Sequence, residues 1–262
     1  MILPHVESNN LKTVAIIPAR YASTRLSGKL IKSEAKEYTG KFLIEHVYEK
    51  VKEAKTIQEV FIATDDERIS DVVNRFGGCV KMTSTNHKSG TDRVAEVAFN
   101  LDADFIVNVQ GDEPDIRGEM IDDLVKVMHA EKEAVVCTLA NEIKSMDEFT
   151  DPNIVKVVLD KDGYAMYFSR ASIPYIRDKN NNSKPTSLTP LRHLGIYIYR
   201  KDFLLAFSNL PVPTIEEAEK LEQLRILSNG YKIKVVITPY VCEGVDTPDD
   251  FERFLAKYRI KN

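Results

Sequence analysis

The stretch TVAIIPARYASTRLSGK occupies residues 13–29, and its first six residues predict the first strand of the fold. Residues 13–18 are continuously apolar after the threonine rather than alternating, which is typical of a strand buried on both faces of a parallel sheet. A polar loop follows, and then a predicted helix over residues 41–54. A buried strand that leads through a loop into a helix is the repeating unit of α/β proteins.

The same alternation continues to residue 140. Further strands are predicted at residues 60–64, 79–83, 104–109 and 134–140, with helices at residues 66–76, from about 91, and at 118–132. Apolar strands separated by helices indicate an α/β fold, doubly wound around a mainly parallel sheet.

From residue 153 the pattern changes. Residues 153–159 and 164–168 flank DKDG, which is a hairpin signal, and a polar stretch at 178–190 is expected to be mobile. The remaining predicted elements are strands at 194–199 and 232–238 and helices at 214–228 and 247–259, with Thr214 and Thr247 as N-caps ahead of Glu217 and Asp250. We therefore expect a single domain over residues 1–262, made of a core at 13–150, an inserted smaller β-rich lobe at 151–213 and a return to the core at 214–262.

Composition excludes several classes of function. The 262 residues carry 36 Lys and Arg against 40 Asp and Glu, a net charge of −4, which disfavours nucleic-acid polymers as partners but not a small phosphate ligand. No apolar run approaches the ~20 residues of a membrane span, so no membrane insertion is expected. Residues 1–12 hold no stretch like a signal peptide, which favours a cytoplasmic location. The three cysteines are isolated, which indicates neither a disulfide framework nor a zinc site.

Candidate ligand-binding residues follow the strands, because open parallel sheets bind ligands beyond the carboxyl ends of their strands. After the first strand, Arg20, Arg25 and Lys29 gather three cations in one loop, which suits a polyphosphate. A solvated basic loop is the alternative, and the Walker pattern is absent. Asp112 follows the fourth strand and Asp246 precedes the last helix; both suit Mg²⁺, although each also fits a turn or a cap.

Nine segments, in order, resemble the 3-deoxy-manno-octulosonate cytidylyltransferases, also called CMP-KDO synthetases. They are IIPARYASTRLSGKL (16–30), ATDDERI (63–69), GGCVKMTS (77–84), SGTDRVAEV (89–97), IVNVQGDEP (106–114), VKVVLDKDGYAMYFSRASIP (155–174), RHLGIYIYR (192–200), LEQLRIL (221–227) and GVDTPDD (244–250). The resemblance covers residues 13–259, which is nearly the whole chain.

The resemblance implies a fold like that of the nucleotide-diphospho-sugar transferases. It also implies the reaction CTP + KDO → CMP-KDO + diphosphate, which activates KDO for lipopolysaccharide synthesis, with Mg²⁺ as cofactor and a homodimer as the assembly. In this family the core at 13–150 binds CTP, and the lobe at 151–213 serves the sugar and the dimer.

The resemblance also assigns roles to individual residues. Arg20, Lys29, Asp112 and Asp246 match catalytic positions, of which Asp112 and Asp246 are the metal ligands. The nucleotide-binding positions are Arg20, Ser23, Arg25, Lys29, Ser89, Gly90 and Arg93. The sugar-binding positions are Gln110, Arg170, His193, Tyr197, Glu222 and Gln223.

Alternatives stay open at this point. Arg170 and Arg192 fit surface charges, His193 a structural histidine, and Glu222 a solvated position on a charged helix. The substrate fits KDO, its 8-amino analogue or another acidic sugar, and a non-catalytic nucleotide-sugar binding protein is the second class. One departure from the family concerns residues 26–30, where Leu-Ser-Gly-Lys-Leu stands in place of Leu-Pro-Gly-Lys-Pro.

Overall fold

The computed structural model describes residues 11–22, 26–177 and 189–260, and its strands form one sheet. The first strand, β1 (Thr13–Ala19), is buried along its whole length, as its apolar pattern predicts. Its side chains alternate between two apolar clusters, with Ala15 and Ile17 in one and Val14 and Ile16 in the other. The fold therefore has a packed apolar layer on each face of β1. The other strands in the described ranges are β2 (Glu59–Thr64), β3 (Val80–Met82), β4 (Phe105–Asn108), β5 (Val136–Glu142), β6 (Lys156–Leu159), β7 (Ala165–Ser169), β8 (Leu191–Arg200) and β9 (Ile233–Ile237).

The order of the strands confirms the mainly parallel sheet. Across the sheet the order is β3-β2-β1-β4-β8-β5-β9. The pairs β3–β2, β2–β1, β1–β4 and β5–β9 are parallel, whereas β8 runs antiparallel to both β4 and β5. The predicted hairpin is also confirmed: β6 and β7 pair antiparallel around DKDG, and β6 continues the sheet through β8.

Helices cover both faces of the sheet. In the part of the chain that the structure describes they are α1 (Ser33–Thr39), α2 (Leu43–Lys52), α3 (Glu67–Arg75), α4 (Gly90–Phe99), α5 (Gly118–Ala130), α6 (Met146–Thr150), α7 (Lys201–Phe207), α8 (Thr214–Glu219), α9 (Gln223–Ser228) and α10 (Pro248–Tyr258). The helices α2, α5 and α10 supply apolar side chains to one cluster, and α4, α7 and α9 to the other. This is the doubly wound arrangement that the sequence predicts. Within the described ranges, no helix combines the length and apolar character needed to cross a bilayer.

Two predictions about local structure were wrong. The residues between β1 and the helix at 41–54 were predicted to be a polar loop, but they include a 3₁₀ turn at Lys29–Ile31 and the helix α1. The single helix predicted over residues 214–228 is broken into α8 and α9, because Lys220 adopts a left-handed conformation with φ 54° and ends α8. Contacts with the rest of the fold outweigh helical propensity at this break, since Leu221 is buried in the apolar cluster beside α4.

The two predicted caps have different outcomes. The hydroxyl of Thr247 accepts a hydrogen bond from the backbone N–H of Asp250 at 3.2 Å, and the Asp250 carboxylate accepts one from Thr247 in return, so this capping box is confirmed. Thr214 was wrongly placed, because Pro213 occupies the N-cap position and Thr214 is the first helical residue.

The predicted lobe at residues 151–213 contributes β6, β7 and β8 to the central sheet. Of the stretch expected to be mobile, residues 178–188 lie outside the described residues. The sugar-binding and dimerisation roles of the lobe stay predictions.

Candidate active site

A cavity of about 390 Å³ opens at the carboxyl ends of β1 and β4. This is the edge of the sheet at which ligands are expected in a doubly wound fold. The cavity is lined by Pro18, Arg20, Ala22, Lys29, Leu30, Gly90, Gln110, Gly111, Asp112 and Asp246. The structure therefore brings together Arg20, Lys29, Asp112 and Asp246, the four residues predicted to be catalytic, at one place.

Lys29 lies at the centre of this cluster. Its ammonium donates to Oδ2 of Asp112 at 2.6 Å, to Oδ1 of Asp246 at 2.9 Å and to the carbonyl of Val245 at 2.7 Å. Burial lowers the pKa of Lys29, but the two carboxylates outweigh it and raise the pKa above its ordinary value. The side chain is thus a buried cation with both carboxylates bound to it.

Backbone geometry fixes the two carboxylates. A side chain at Gly111 would lie 3.1 Å from the carbonyl of Pro18, a tight contact, so the close approach of β1 and the turn after β4 favours glycine at this position. The carbonyl of Asp112 accepts the N–H of Val245 at 2.8 Å, and the N–H of Asp246 binds the Asp250 carboxylate at 3.0 Å. One main-chain hydrogen bond therefore joins two turns that are far apart in the sequence, and a local bond to the Asp250 side chain fixes the backbone at Asp246.

The donor set fits a magnesium ion that also binds substrate. Asp112 and Asp246 are near enough to contact one ammonium, so both reach a common point. Among the described residues there is no group of three or more His, Cys, Asp or Glu side chains that could hold a metal. Mg²⁺ is commonly held by one or two carboxylates together with substrate phosphates, so this pair is sufficient only with a phosphate ligand.

Arg20 and the start of α4 line the same cavity. The Nη2 atom of Arg20 is buried and has no hydrogen-bond acceptor in the described part of the chain. Ser89 caps α4, its hydroxyl accepting the N–H of Asp92 at 3.1 Å. A side chain at Gly90 would lie 3.4 Å from Pro18 and 3.9 Å from Gln110. An unsatisfied guanidinium nitrogen and a helix N-terminus beside one cavity favour an anionic ligand.

Among the predicted nucleotide contacts in the described residues, Ser89 and Arg93 do not line this cavity. Ser23 and Arg25 lie outside the described residues. Arg93 is buried, and its guanidinium binds Oδ2 of Asp65 at 2.8 Å and the hydroxyl of Thr83. It does not line the 390 Å³ cavity, so its role at the nucleotide stays a prediction.

The predicted sugar contacts His193 and Tyr197 stand together on β8. Their rings are 5.4 Å apart, and His193 also meets the edge of Phe168. Its Nε2 lies 3.1 Å from the hydroxyl of Thr138. Burial lowers the pKa of His193 to about 3, so the ring is neutral and offers hydrogen bonds rather than positive charge.

Glu222 joins this group to the start of α4. The hydroxyl of Thr91 donates to Oε2 of Glu222 at 2.7 Å, and burial together with the charge of Glu222 raises the pKa of Tyr197. Glu222 therefore does not lie on a solvated helical face; it stands at the break between α8 and α9, next to Gln223, which is buried. Ser89 and Glu222 also line a larger, more open cavity of about 890 Å³ on the outer side of α4.

Arg170 lies just beyond β7 and does not line the 390 Å³ cavity. Its Nε donates to the carbonyl of Glu219 at 2.8 Å and its Nη1 to the carbonyl of Pro152 at 3.0 Å. Both acceptors are neutral, so the positive charge of the guanidinium is not cancelled by these contacts.

Sequence reasoning missed a buried cluster behind Asp112. The carboxylate of Glu113 accepts a hydrogen bond from the thiol of Cys242 at 2.8 Å, and Arg192 donates to the carbonyl of Cys242 at 3.3 Å. Burial raises the pKa of Glu113 to about 7. The one available signal was the adjacent pair of carboxylates, Asp112 and Glu113, directly after a buried strand.

Comparison with known proteins agrees with this geometry. Residues 14–233 match the cytidylyltransferase family. A protein of Geotalea uraniireducens named 3-deoxy-manno-octulosonate cytidylyltransferase is 50% identical over 254 residues, which cover 95% of this chain and 100% of that protein. A Geobacter sulfurreducens protein of the same name is 49% identical over 255 residues, covering 95% and 100%. The solved structure of CMP:2-keto-3-deoxy-manno-octonic acid synthetase complexed with CTP is 41% identical, with a TM-score of 0.86 over 94% of this chain and 98% of that one.

Proposed function

Because the chain belongs to the cytidylyltransferase family, we propose that it transfers a cytidylyl group from CTP to 3-deoxy-manno-octulosonate (KDO) and releases diphosphate. The product, CMP-KDO, is the activated sugar for lipopolysaccharide synthesis. The observation that carries the proposal is the cluster at the carboxyl edge of the sheet, where the ammonium of Lys29 contacts both Asp112 and Asp246.

The chemistry is an in-line substitution at phosphorus. The 2-hydroxyl oxygen of KDO attacks the α-phosphorus of CTP, the bond from that phosphorus to the bridging oxygen of the β-phosphate breaks, and the hydroxyl proton is lost to solvent or base. Such transfers depend on positioning and on stabilisation of charge rather than on covalent help from the protein. The residues must therefore hold two anions together and offset the charge that builds on the leaving diphosphate.

The cations of the site suit the triphosphate. Arg20 has a buried nitrogen without an acceptor among the described residues, and it lines the same cavity as Lys29. A guanidinium forms two hydrogen bonds to phosphate oxygens, whereas an ammonium acts as a point charge. Ser89 and Gly90 place the N-terminus of α4 beside these cations, where its unsatisfied N–H groups attract an anion.

Asp112 and Asp246 would hold Mg²⁺ against the triphosphate. When bound there, the ion would neutralise phosphate oxygens and lower the pKa of a coordinated hydroxyl. The two carboxylates reach a common point, as the contacts of Lys29 with both of them show.

The sugar acid requires a separate set of contacts. Its carboxylate must be paired when it leaves water. His193 is neutral because burial lowers its pKa to about 3, so we assign the charge of the sugar carboxylate to Arg170 and hydrogen bonds to His193 and Tyr197. Gln110, Glu222 and Gln223 complete the proposed set. The homodimer and the cytoplasmic location implied by the resemblance stay predictions.

Release of diphosphate tests the proposal directly. The protein would be incubated with each of the four nucleoside triphosphates and with KDO, 8-amino-KDO, sialic acid or glucose 1-phosphate. We expect release with CTP and KDO, its loss on adding EDTA, and recovery on restoring excess Mg²⁺. A higher kcat/KM for 8-amino-KDO than for KDO would identify that analogue as the substrate. Absence of release with CTP and every sugar acid would leave a nucleotide-sugar binding protein instead of an enzyme.

A further inference from the structure

Lys156 on β6 is an unusual lysine because it is completely buried, with an exposed fraction of 0%. Its ammonium donates to three main-chain carbonyls, those of Asp151 at 2.8 Å, Ile154 at 2.6 Å and Arg170 at 2.7 Å. Within the described ranges no carboxylate oxygen lies within 4.0 Å of the Lys156 ammonium, so the ammonium forms no salt bridge there. A cation buried without a bound carboxylate loses its hydration, and here these three hydrogen bonds and the more distant charges of Asp151 and Glu219 offset part of that loss.

Glu219, at the end of α8, binds the chain where β7 ends, at Ser169 and Arg170. Its carboxylate accepts the N–H of Arg170 at 2.9 Å and the hydroxyl of Ser169 at 2.6 Å. The main-chain carbonyl of Glu219 accepts Nε of Arg170 at 2.8 Å. One residue thus binds both the main chain and the side chain of Arg170.

Glu219 and Lys156 both form hydrogen bonds with the main chain of Arg170. Glu219 holds the N–H of Arg170, and Lys156 holds its carbonyl. The guanidinium meets only the neutral carbonyls of Glu219 and Pro152, and across the described residues it forms no ion pair within 4.0 Å. The backbone of Arg170 is therefore held at both of its peptide groups, and its guanidinium interacts with the charge of Glu219 without a bound carboxylate in the described ranges.

We propose that Lys156 and Glu219 are positioning residues that hold Arg170 as a preformed receptor for the carboxylate of the sugar acid. This inference rests on the proposed function, in which Arg170 binds that carboxylate. Fixing a receptor before the ligand arrives reduces the entropy lost on binding, so the effect appears in the affinity for the sugar. Neutral dipoles orient the guanidinium without competing for its charge, as a bound carboxylate would do.

A double-mutant cycle between Glu219→Gln and Arg170→Lys tests the inference. Glu219→Gln removes the negative charge and leaves one oxygen, instead of two, to accept from the N–H of Arg170 and the hydroxyl of Ser169. We expect the KM for KDO to rise about tenfold, the ratio that corresponds to about 1.4 kcal/mol. The KM for CTP and kcat at saturating KDO should change by less than about twofold. In the Arg170→Lys background, Glu219→Gln should add little, because it acts through the arginine.

Glu217→Gln is the matched control, since Glu217 lies on the exposed side of the same helix. Lys156→Met is expected to raise the KM for KDO as well, and also to lower the melting temperature, because three carbonyls lose their donor. Calorimetric titration of KDO alone provides a second measurement that does not depend on turnover. For Glu219→Gln it should show the same loss of affinity.

The outcomes separate this inference from the proposed function. Turnover of CTP and KDO by the unaltered protein tests the function itself. If that turnover is present and Arg170→Lys raises the KM for KDO, an unchanged KM in Glu219→Gln overturns the positioning role. The role is also overturned if the two substitutions multiply in the double variant, or if Glu219→Gln raises the KM for CTP as much as that for KDO.

Discussion

The hydroxyl of Thr91 donates a hydrogen bond to Oε2 of Glu222 at 2.7 Å, and this contact joins the first turn of α4 to the break between α8 and α9. Ser89 and Gly90, on the α4 side, are proposed to bind the nucleotide. Glu222 is proposed to bind the sugar. A single side-chain hydrogen bond therefore connects the two halves of the proposed site.

Replacing Thr91 by Val should weaken this connection. Valine has the shape of threonine but no hydroxyl, so the partly buried carboxylate of Glu222 would lose a donor, which typically costs about 1–3 kcal/mol. We expect a lower melting temperature and a fall of about tenfold in kcat/KM for KDO. Thr91→Ser keeps the hydroxyl and serves as the control. Unchanged kinetics in Thr91→Val would mean that the bond is not used in the reaction.

The carboxylates of Asp112 and Asp246 provide the sharpest test of the metal assignment. Asp112→Asn and Asp246→Asn keep the size of each side chain but remove its charge, and each should reduce diphosphate release by at least about 100-fold. Circular dichroism should show an unchanged fold, whereas the melting temperature should fall because the buried ammonium of Lys29 loses one of its two carboxylates. Asp115→Asn is a control, because Asp115 binds Lys257 and Tyr258 away from the cluster. A near-normal rate in either site variant would refute the assignment.

Lys29→Met should separate the role of the ammonium from that of the carboxylates. Its loss removes a buried cation that contacts Asp112 and Asp246, and it removes positive charge from the proposed triphosphate cradle. We expect kcat/KM for CTP to fall about 100- to 1,000-fold. Lys32→Met is the comparison, since Lys32 pairs with Glu34. Equal kinetics in the two variants would contradict the assignment of Lys29.

Ser27→Pro should stabilise the loop that departs from the family pattern. The N–H of Lys29 binds the carbonyl of Leu26 at 3.4 Å, and Gly28 has φ 68° and ψ 11°. These values describe a type II turn, in which proline is favoured at the position of Ser27. We expect a gain of about 0.4–1 kcal/mol, read from chemical denaturation, because proline restricts the unfolded chain. Gly28→Ala should do the reverse, and a destabilised Ser27→Pro would exclude this turn type.

Acid should destabilise the protein through His46. Burial, with a smaller contribution from Lys41, lowers the pKa of His46 to about 4, against an ordinary value of 6.5. The unfolded chain therefore takes up this proton first, so stability is full above pH 6.5 and falls as the pH drops towards 4. One such group changes the free energy of unfolding by at most about 1.4 kcal/mol per pH unit, and by less where solvent screens its charge.

Urea denaturation at several pH values checks this prediction. The free energy of unfolding of His46→Gln should fall less steeply between pH 6.5 and 4 than that of the unaltered protein, with parallel curves above pH 7. Equal slopes in the acid range would show that His46 does not contribute.

The strands were predictable because the local pattern and the tertiary environment agree. Val14 to Ile17 are apolar in succession, and all four are buried, two on each face of the sheet. The break at Lys220 was not predictable, since the sequence around it favours a continuous helix. It forms because Leu221 enters the core and Glu219 binds the end of β7, and neither contact leaves a trace in the local pattern.

The candidate site was predictable mainly through resemblance. The residues alone suggested a phosphate loop and two separate carboxylates, but not that Lys29 would contact both Asp112 and Asp246. Residues that act through main-chain contacts, such as Lys156, stayed hidden. A lysine in an apolar strand gives no sign that its ammonium will bind two nearby main-chain carbonyls and a third beyond the next strand.

The location of β8 between β4 and β5 also governs how the sheet is completed during translation. In the described residues β5 pairs only with β8 and β9, so no strand pairing joins the strands up to β4 to β5 until residues 191–200 have left the ribosome. At typical elongation rates this interval is on the order of 10 s. Meanwhile the edge of β4 remains open, and open edges recruit other chains. Yield in a heterologous host should therefore depend on chaperones that shield the nascent chain during that interval.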